Sequence, residues 1–198
     1  MNLRIKRDGA GLPLIQTERL VLRTLSSLDA EALFKYRSKA EVLRFQHFHP
    51  TSIEDARDFI ARASRSFTTE STWHQFGIFL QNGLIGDIGV HFFAGKNRNC
   101  EIGYTVDPSY QRRGYAREAV WGIVGLLFHE LKKECVFAVV DVQNTPSIGL
   151  LRSIGFAELS SAPKAAEALQ AGGMPECARE EVCFELTFDA WRSRSTEL

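Results

Sequence analysis

The sequence predicts a protein of the α/β (α+β) class, in which helices pack on the faces of a sheet. Apolar and polar residues alternate, as in half-buried strands, over 17–25 and 76–92. From Ala116 to Leu127 the apolar residues recur instead at helical spacing along one broad face. Because both patterns mix throughout the 198 residues and neither a repeat nor a change of composition divides them, we expect a single domain over 1–198.

Two helices and a three-stranded meander are expected after the first strand. Thr51 and Glu54 have the spacing of a capping box, which predicts that the second helix covers 51–63. Asn-Gly at 82–83 is a hairpin turn signal between two alternating strands, and CEIGYTVD at 100–107 supplies the third strand. The apolar face of the first helix is predicted to consist of Leu28, Ala32, Leu33 and Tyr36.

The second half of the chain is predicted to end in a strand, a helix, a loop and a further strand. A continuously apolar run at 136–142 predicts a strand that is covered on both sides. Pro146 suits the first turn of the following helix, and Gly155 suits its C-terminal cap. The stretch at 160–178 is rich in Ala, Gly and Pro, so a mobile surface loop is expected there before a last strand at 180–188.

Composition and charge argue against several classes of function. The 24 basic and 24 acidic residues give a net charge of +0, which disfavours a nucleic-acid or anionic-membrane partner that binds through bulk charge. No apolar run is long enough to cross a bilayer, and the first residues lack the apolar core of a signal peptide, so we expect a cytoplasmic protein. The four cysteines lack CxxC spacing and His47 and His49 lack ligand partners, so no metal site is predicted.

The six residues QRRGYA at 111–116 lie where a predicted strand meets a predicted helix. The backbone N–H groups at a helix N-terminus, together with the positive end of the helix dipole, suit a phosphate group. Gly114 has no side chain to block close approach, and Arg112 and Arg113 add positive charge. The pattern predicts either a cradle for a phosphorylated ligand or a solvated basic turn, and the order of elements leaves both open.

The stretch EIGYTVDPSYQRRGYAREAV resembles the acetyl-CoA-binding motif of the GCN5-related N-acetyltransferases (GNAT), whose core pattern is Gln/Arg-x-x-Gly-x-Gly/Ala. Gln111, Gly114 and Ala116 stand at its fixed positions. The run NTPSIGLLRSIGF at 144–156 is similar to a second family element, Asn-x-x-Ser followed by an apolar helix and Gly-Phe. Both ends of the chain resemble the branch that acetylates the N-termini of ribosomal proteins, so the resemblance covers about 15–191.

The resemblance implies a mixed, mostly antiparallel sheet with helices on both faces that splays open between EIGYTV and VFAVVDV. Acetyl-CoA, the acetyl donor, would lie in that opening. Its pantetheine arm would pair with the backbone of the first of these strands, and backbone amides of the basic turn would hold its pyrophosphate. The donor-binding residues implied are Tyr104, Thr105, Val106, Gln111, Arg112, Arg113, Gly114, Tyr115, Ala116, Asn144 and Ser147.

The resemblance also implies direct attack of a primary amine on the thioester, without a covalent enzyme intermediate. An α-amino group has a reference pKa of about 7.7–8.0, against roughly 10.4 for lysine, so a protein N-terminus needs little deprotonation near pH 7. Glu101 would accept the proton of the amine, Ser147 would protonate the thiolate, and a backbone N–H near Val106 would polarise the carbonyl. The alternatives are a solvated or ion-paired strand residue for Glu101 and an ordinary first-turn hydroxyl for Ser147.

The sequence leaves several functional alternatives open. The acceptor could be a ribosomal-protein N-terminus, another peptide, a polyamine, an amino acid or an antibiotic. A catalytically silent acyl-CoA-binding module would keep every binding feature, and monomer and homodimer are equally compatible with the sequence. A Rossmann-like nucleotide binder is disfavoured because the chain has no GxGxxG fingerprint.

Overall fold

The computed structural model of the chain describes residues 3–63, 67–94, 98–159 and 180–195. Within these ranges, nine strands form one sheet. The strands are β1 (Arg4–Arg7), β2 (Pro13–Gln16), β3 (Val21–Thr24), β4 (Thr72–Leu80), β5 (Gly83–Phe92), β6 (Asn99–Val106), β7 (Cys135–Asp141), β8 (Ala157–Glu158) and β9 (Glu181–Thr187).

Helices and strands are mixed along the chain, as the sequence pattern predicts. Short 3₁₀ helices cover Ser27–Asp29 and Pro108–Tyr110, and a π-helical turn covers Leu126–Glu130. The α-helices are α1 (Ala30–Arg37), α2 (Ala40–Leu43), α3 (Ile53–Ala63), α4 (Tyr115–Gly125), α5 (Thr145–Ile154) and α6 (Phe188–Ser195).

The sheet is mixed and mostly antiparallel. Its strand order is β1-β2-β3-β4-β5-β6-β7-β9-β8. The pairings β1–β2, β2–β3, β3–β4, β7–β9 and β8–β9 are antiparallel, whereas β6 runs parallel to β7. The register between β6 and β7 ends at the pair Glu101 and Phe137, although both strands continue beyond it. The predicted open sheet of this class is therefore confirmed.

The chain divides into two compact units. That residues 1–198 act as a single domain stays a prediction. Unit 1 consists of Met1–Thr68, Trp73–Gly89 and Tyr104–Ile123, and unit 2 consists of Thr69–Thr72, Val90–Gly103 and Val124–Leu198.

Helices pack on both faces of the sheet within unit 1. On one face, Val21 of β3 packs in a cluster with residues of α1 and α3, including Leu33 and Ile60. The neighbouring strand residue Leu22 points to the opposite face, where it lies close to Gly122 of α4. Adjacent strand positions thus serve two different helical layers, as the resemblance implied.

Unit 2 is built around the long antiparallel pairing of β7 with β9. One face of these strands carries an apolar cluster of Cys135, Phe137 and Cys183, with partly buried Val139 beside it. Glu101 of β6 is the register partner of Phe137, so its side chain emerges on this same face. A carboxylate is therefore placed beside an apolar surface.

Three local predictions are wrong in detail. The face predicted for the first helix fails because Ser27–Asp29 forms its own 3₁₀ turn and α1 begins only at Ala30, which leaves Leu28 92% exposed and Ala32 exposed. The predicted capping box is shifted by one residue: Ser52 Oγ accepts from Asp55 N–H, and the Asp55 carboxylate accepts from Ser52 N–H.

The hairpin turn between β4 and β5 is shifted in the same way. Gln81 and Asn82 have φ values of 49° and 70°, so they occupy the two central turn positions, and Gly83 is the first residue of β5. The strands β1, β2 and β8 and the helices α2 and α6 were not predicted. The loop expected at 160–178 lies outside the described residues.

Candidate functional site

The basic turn at 111–116 joins the end of β6 to the start of α4 within unit 1. The Glu118 N–H donates to the Gly114 carbonyl at 3.1 Å and begins the hydrogen-bond ladder of the helix. The N–H groups of Tyr115, Ala116 and Arg117 precede that ladder, so they have no acceptor within α4. They form the donor-rich end of a helix that is eleven residues long.

The backbone of this turn twice enters the left-handed region. Arg112 has φ 59° and Gly114 has φ 80°, a conformation that disfavours a β-carbon. Such turns present consecutive N–H groups to one side, which makes a concave anion site. The side chains of Arg112 and Arg113 are exposed beside it. This geometry fits an anion such as a pyrophosphate.

Gln111 holds the turn against the strand that precedes it. Its Nε2 donates to the Val106 carbonyl at 2.9 Å, which fixes the loop to the last residue of β6. Thr105 and Val106 are buried and Tyr104 is half-buried, so donor binding by this segment would use mainly its backbone. The direct roles assigned to these residues and to Gln111 stay predictions.

Glu101 is a largely buried carboxylate of unit 2. Its side chain is only 16% exposed, and Oε2 lies 3.9 Å from Nδ1 of His91 on β5. Burial, and to a smaller extent the nearby charge of Glu181, together raise the pKa of Glu101 to about 7. Burial also lowers the pKa of His91, which favours the neutral imidazole. The role of Glu101 as a base, and its alternative as a solvated or ion-paired strand residue, both stay predictions.

Asn144 and Ser147 form the N-terminal cap of α5, also in unit 2. Asn144 Oδ1 accepts from the Ser147 backbone N–H at 3.3 Å, and the Asn144 N–H donates to the Asp141 carbonyl at 2.9 Å. The Asn-x-x-Ser spacing thus has a structural role in starting this helix. The helix ends at Gly155, which has φ 111°, as predicted. Donor binding by both residues and proton donation by Ser147 stay predictions.

Arg19 and Glu118 form a contact of unit 1 that sequence reasoning missed. Arg19 Nε donates to Glu118 Oε2 at 2.7 Å, and Arg19 Nη1 donates to the Arg113 carbonyl at 3.0 Å. Arg19 and Glu118 are 99 positions apart in the chain. No local spacing marks such a pair, and only the fold brings it beside the basic turn.

A second missed cluster surrounds Asp87 on β5. This carboxylate is fully buried and accepts hydrogen bonds from Tyr36, Arg37 and Gln75. Burial and the adjacent carboxylate hold the pKa of Tyr36 well above its ordinary value, so its hydroxyl stays protonated and donates to Asp87. The cluster ties α1 to β4 and β5 inside unit 1.

Two kinds of feature are absent from the described residues. None of their helices has the length and apolarity that a membrane span requires. The same residues contain no cluster of three or more His, Cys, Asp or Glu side chains that could hold a metal ion.

Known sequences match most of the chain. The family model of the Acetyltransferase (GNAT) domain matches residues 19–157. The chain is 36% identical over 147 residues to the uncharacterized N-acetyltransferase YoaA of Bacillus subtilis (strain 168), covering 73% of this chain and 82% of that protein. It is 26% identical over 161 residues to YdaF of the same organism, provisionally named a ribosomal N-acetyltransferase, covering 79% and 86%.

Solved structures share the fold. A GNAT-family acetyltransferase from Bacillus anthracis has a TM-score of 0.70 at 25% identity, covering 88% of this chain and 98% of that chain. RimL, a ribosomal L7/L12 alpha-N-protein acetyltransferase, has a TM-score of 0.71 at 17% identity, covering 93% and 100%. At that identity the likeness to RimL shows a common fold. Together with the sequence matches, these findings show that the chain belongs to the GNAT family of N-acetyltransferases.

Proposed function

We propose that this N-acetyltransferase moves an acetyl group from acetyl-CoA to a primary amine, and that the amine is the α-amino group of a polypeptide. The observation that carries the proposal is Glu101, a largely buried carboxyl whose pKa lies at about 7. A general base works best when its pKa is close to the operating pH. Glu101 is therefore matched to an α-amine, whose reference pKa of about 7.7–8.0 is only slightly higher.

Donor binding is assigned to the basic turn. The N–H groups of Tyr115 and Ala116 and the exposed arginines Arg112 and Arg113 supply donors and positive charge for the pyrophosphate. The left-handed φ of 80° at Gly114 keeps the turn open for close approach. The backbone of β6 would meet the pantetheine amides as an added strand does.

The chemistry is a direct exchange of bonds at the acetyl carbonyl. The amine nitrogen forms a bond to the carbonyl carbon, the bond from that carbon to sulfur breaks, and the amine loses one proton while the thiolate gains one. The Glu101 carboxylate accepts the first proton, and Ser147 Oγ–H is the candidate donor of the second. The backbone N–H of Val106 would stabilise the developing oxyanion. No cysteine takes part.

The choice of a polypeptide acceptor is supported by the relatives. YdaF is provisionally named a ribosomal N-acetyltransferase, and the chain ends resemble that branch of the family. The competing class is a small-molecule amine, such as a polyamine, an amino acid or an antibiotic. A silent acyl-CoA-binding module is the third candidate, and the near-neutral pKa of Glu101 favours an enzyme over it.

The proposal is tested with a panel of acceptors and a thiol-release assay. Peptides with free α-amines should turn over faster than the same peptides blocked at the N-terminus, whose only amine is a lysine side chain. A preference for polyamines or aminoglycosides would move the enzyme to a small-molecule branch. Acetyl-CoA binding without thiol release for any amine would support the silent module instead.

Donor binding is tested separately by calorimetry with CoA. Gly114→Val should abolish binding, because a β-branched residue disfavours φ 80° and its added carbon would lie about 3.3 Å from Arg19 Nη2. Gly149→Val is the control, since a β-carbon at Gly149 meets nothing within 4 Å. Unchanged affinity in a folded Gly114→Val protein would contradict the assignment of the turn.

A further inference from the structure

We propose that Arg19 is a positioning residue of the basic turn: by holding the Arg113 carbonyl, it aims the Gly114 N–H at the pyrophosphate of the donor. The proposal rests on the proposed function, because it takes acetyl-CoA as the ligand of this turn. It adds a residue that lies outside both of the motifs at 111–116 and 144–156, 94 positions before Arg113 in the chain.

The contacts of Arg19 converge on the turn and on the first turn of α4. Nη1 donates to the Arg113 carbonyl at 3.0 Å, and the guanidinium lies 4.6 Å from the centre of the Tyr115 ring. Nε and the backbone N–H of Arg19 each donate to the Glu118 carboxylate at 2.7 Å. One planar group therefore contacts the peptide before Gly114 and the helix that follows it.

Peptide geometry converts this contact into an orientation. In a planar trans peptide, the C=O and the following N–H point in opposite directions. When Arg19 binds the Arg113 oxygen on one side, the Gly114 N–H of the same peptide must face the other side. Because Gly114 has φ 80° and no β-carbon, nothing in the residue itself fixes that peptide plane, so an external contact is needed.

The position of Arg19 is itself fixed by Glu118. The Glu118 side chain is 5% exposed, and it also accepts from Thr17 Oγ1 at 2.6 Å. Burial alone would raise the pKa of Glu118, but hydrogen bonds from Thr17 and Arg19 outweigh it and lower that pKa below its ordinary value. Glu118 is thus ionised at neutral pH and anchors the guanidinium.

Lysine cannot reproduce this arrangement. An ammonium is a single point charge at the end of a flexible stem, whereas the guanidinium fork reaches Glu118 and Arg113 with two differently directed groups. Arg19→Lys therefore keeps the charge and the ion pair but loses the hold on the Arg113 carbonyl.

The test compares two acetyl donors, acetyl-CoA and S-acetylpantetheine, which lacks the pyrophosphate. Arg19→Lys should raise the KM for acetyl-CoA by about tenfold, as expected for losing one oriented hydrogen bond donor. It should leave the KM for S-acetylpantetheine and the kcat with that donor unchanged. Arg98→Lys, which alters an exposed arginine paired with Glu134 at 2.6 Å, should behave as the wild type with both donors.

The outcomes separate this inference from the proposed function. Wild-type protein that turns over neither donor would refute the proposed function. An active wild type in which Arg19→Lys affects both donors equally, or neither, would refute the positioning role. If Arg19→Lys does not fold, Glu118→Gln replaces it: it keeps the acceptor for Thr17 but removes the anchoring charge, so it should show the same donor-selective rise in KM. An equal effect of Glu118→Gln on both donors would overturn the inference.

Discussion

The buried carboxyl of Glu101 should make the protein less stable as the pH rises, and Glu101→Gln should remove that loss. The folded state raises the pKa of Glu101 from 4.5 to about 7 through burial and, second, through Glu181. Below pH 4.5 the carboxyl is protonated in both the folded and the unfolded states and no penalty exists. Between pH 4.5 and about 7 the unfolded chain releases the proton while the folded state keeps it, so stability is lost until the folded state ionises as well.

The magnitude follows from the shift. A rise of about 2.5 pKa units corresponds to roughly 3 kcal/mol of folding free energy once Glu101 is ionised in both states, at 1.36 kcal/mol per unit. Much of the loss falls between pH 4.5 and 7, where the unfolded chain alone releases the proton. Across pH 5.5 to 8.5 the free-energy advantage of Glu101→Gln over the wild type should grow by about 2 kcal/mol.

Urea denaturation of both proteins at several pH values measures this difference directly. Subtracting the two free energies of unfolding cancels the other titrating groups that the proteins share. Glu130→Gln, at an exposed position at the end of the π-helical turn, is the control and should show a difference that does not change with pH. A constant difference between Glu101→Gln and the wild type would refute the raised pKa.

The same substitution should lower turnover while it raises stability. If Glu101 accepts the proton of the amine, wild-type kcat/KM should rise with pH through about 7, and Glu101→Gln should lose that limb of the profile. The loss should be largest below the pKa of the amine and shrink above it, where the amine arrives neutral. A loss of equal size at every pH would indicate a structural role instead.

Two pairs of substitutions, each a test and its control, probe the packing of the fold by chemical denaturation. Asp87→Asn should lower the free energy of unfolding by about 3–5 kcal/mol, because an amide would then face the donors of a fully buried ion pair. Glu54→Gln is the control: it lies in the exposed pair with Arg57 and should cost less than about 1 kcal/mol. Equal costs would contradict the view that burial decides the difference. Gly155→Ala should destabilise the protein by about 1–2 kcal/mol, because Gly155 has φ 111°. Gly149→Ala, at a position within α5 where a β-carbon meets nothing within 4 Å, should instead stabilise it by up to about 1 kcal/mol. A stabilising effect of Gly155→Ala would contradict the assigned cap.

Local signals predicted the elements well because they depend on neighbouring residues. Pro146 and Gly155 marked the two ends of α5, and the continuous apolar run at 136–142 marked β7. Errors of one residue arose where two neighbours compete for one role. Ser52 rather than Thr51 caps α3, and Gln81 joins Asn82 in the hairpin turn.

Contacts between distant segments could not be predicted in this way. Asp87 collects donors from α1 and β4, and Glu118 binds Thr17 and Arg19, roughly a hundred residues earlier. The raised pKa of Glu101 likewise depends on burial beside His91 and on Glu181, which is 80 positions away. A sequence pattern places a carboxylate on a strand, but only packing decides whether it is a solvated side chain or a base.

The contrast between donor and acceptor recognition follows from the same distinction. The groups proposed to bind the donor are mainly backbone N–H groups, whose direction is set by residues with positive φ. Glycine adopts positive φ most readily, so a glycine in the sequence indicates where such a conformation occurs. A short sequence motif therefore predicts both the turn at Gly114 and the start of the helix at Tyr115. The role proposed for Glu101 depends instead on its pKa, which burial raises and which the residue type alone does not reveal. The donor can thus be predicted from a short motif, whereas the acceptor must be found by measuring which amines the enzyme acetylates.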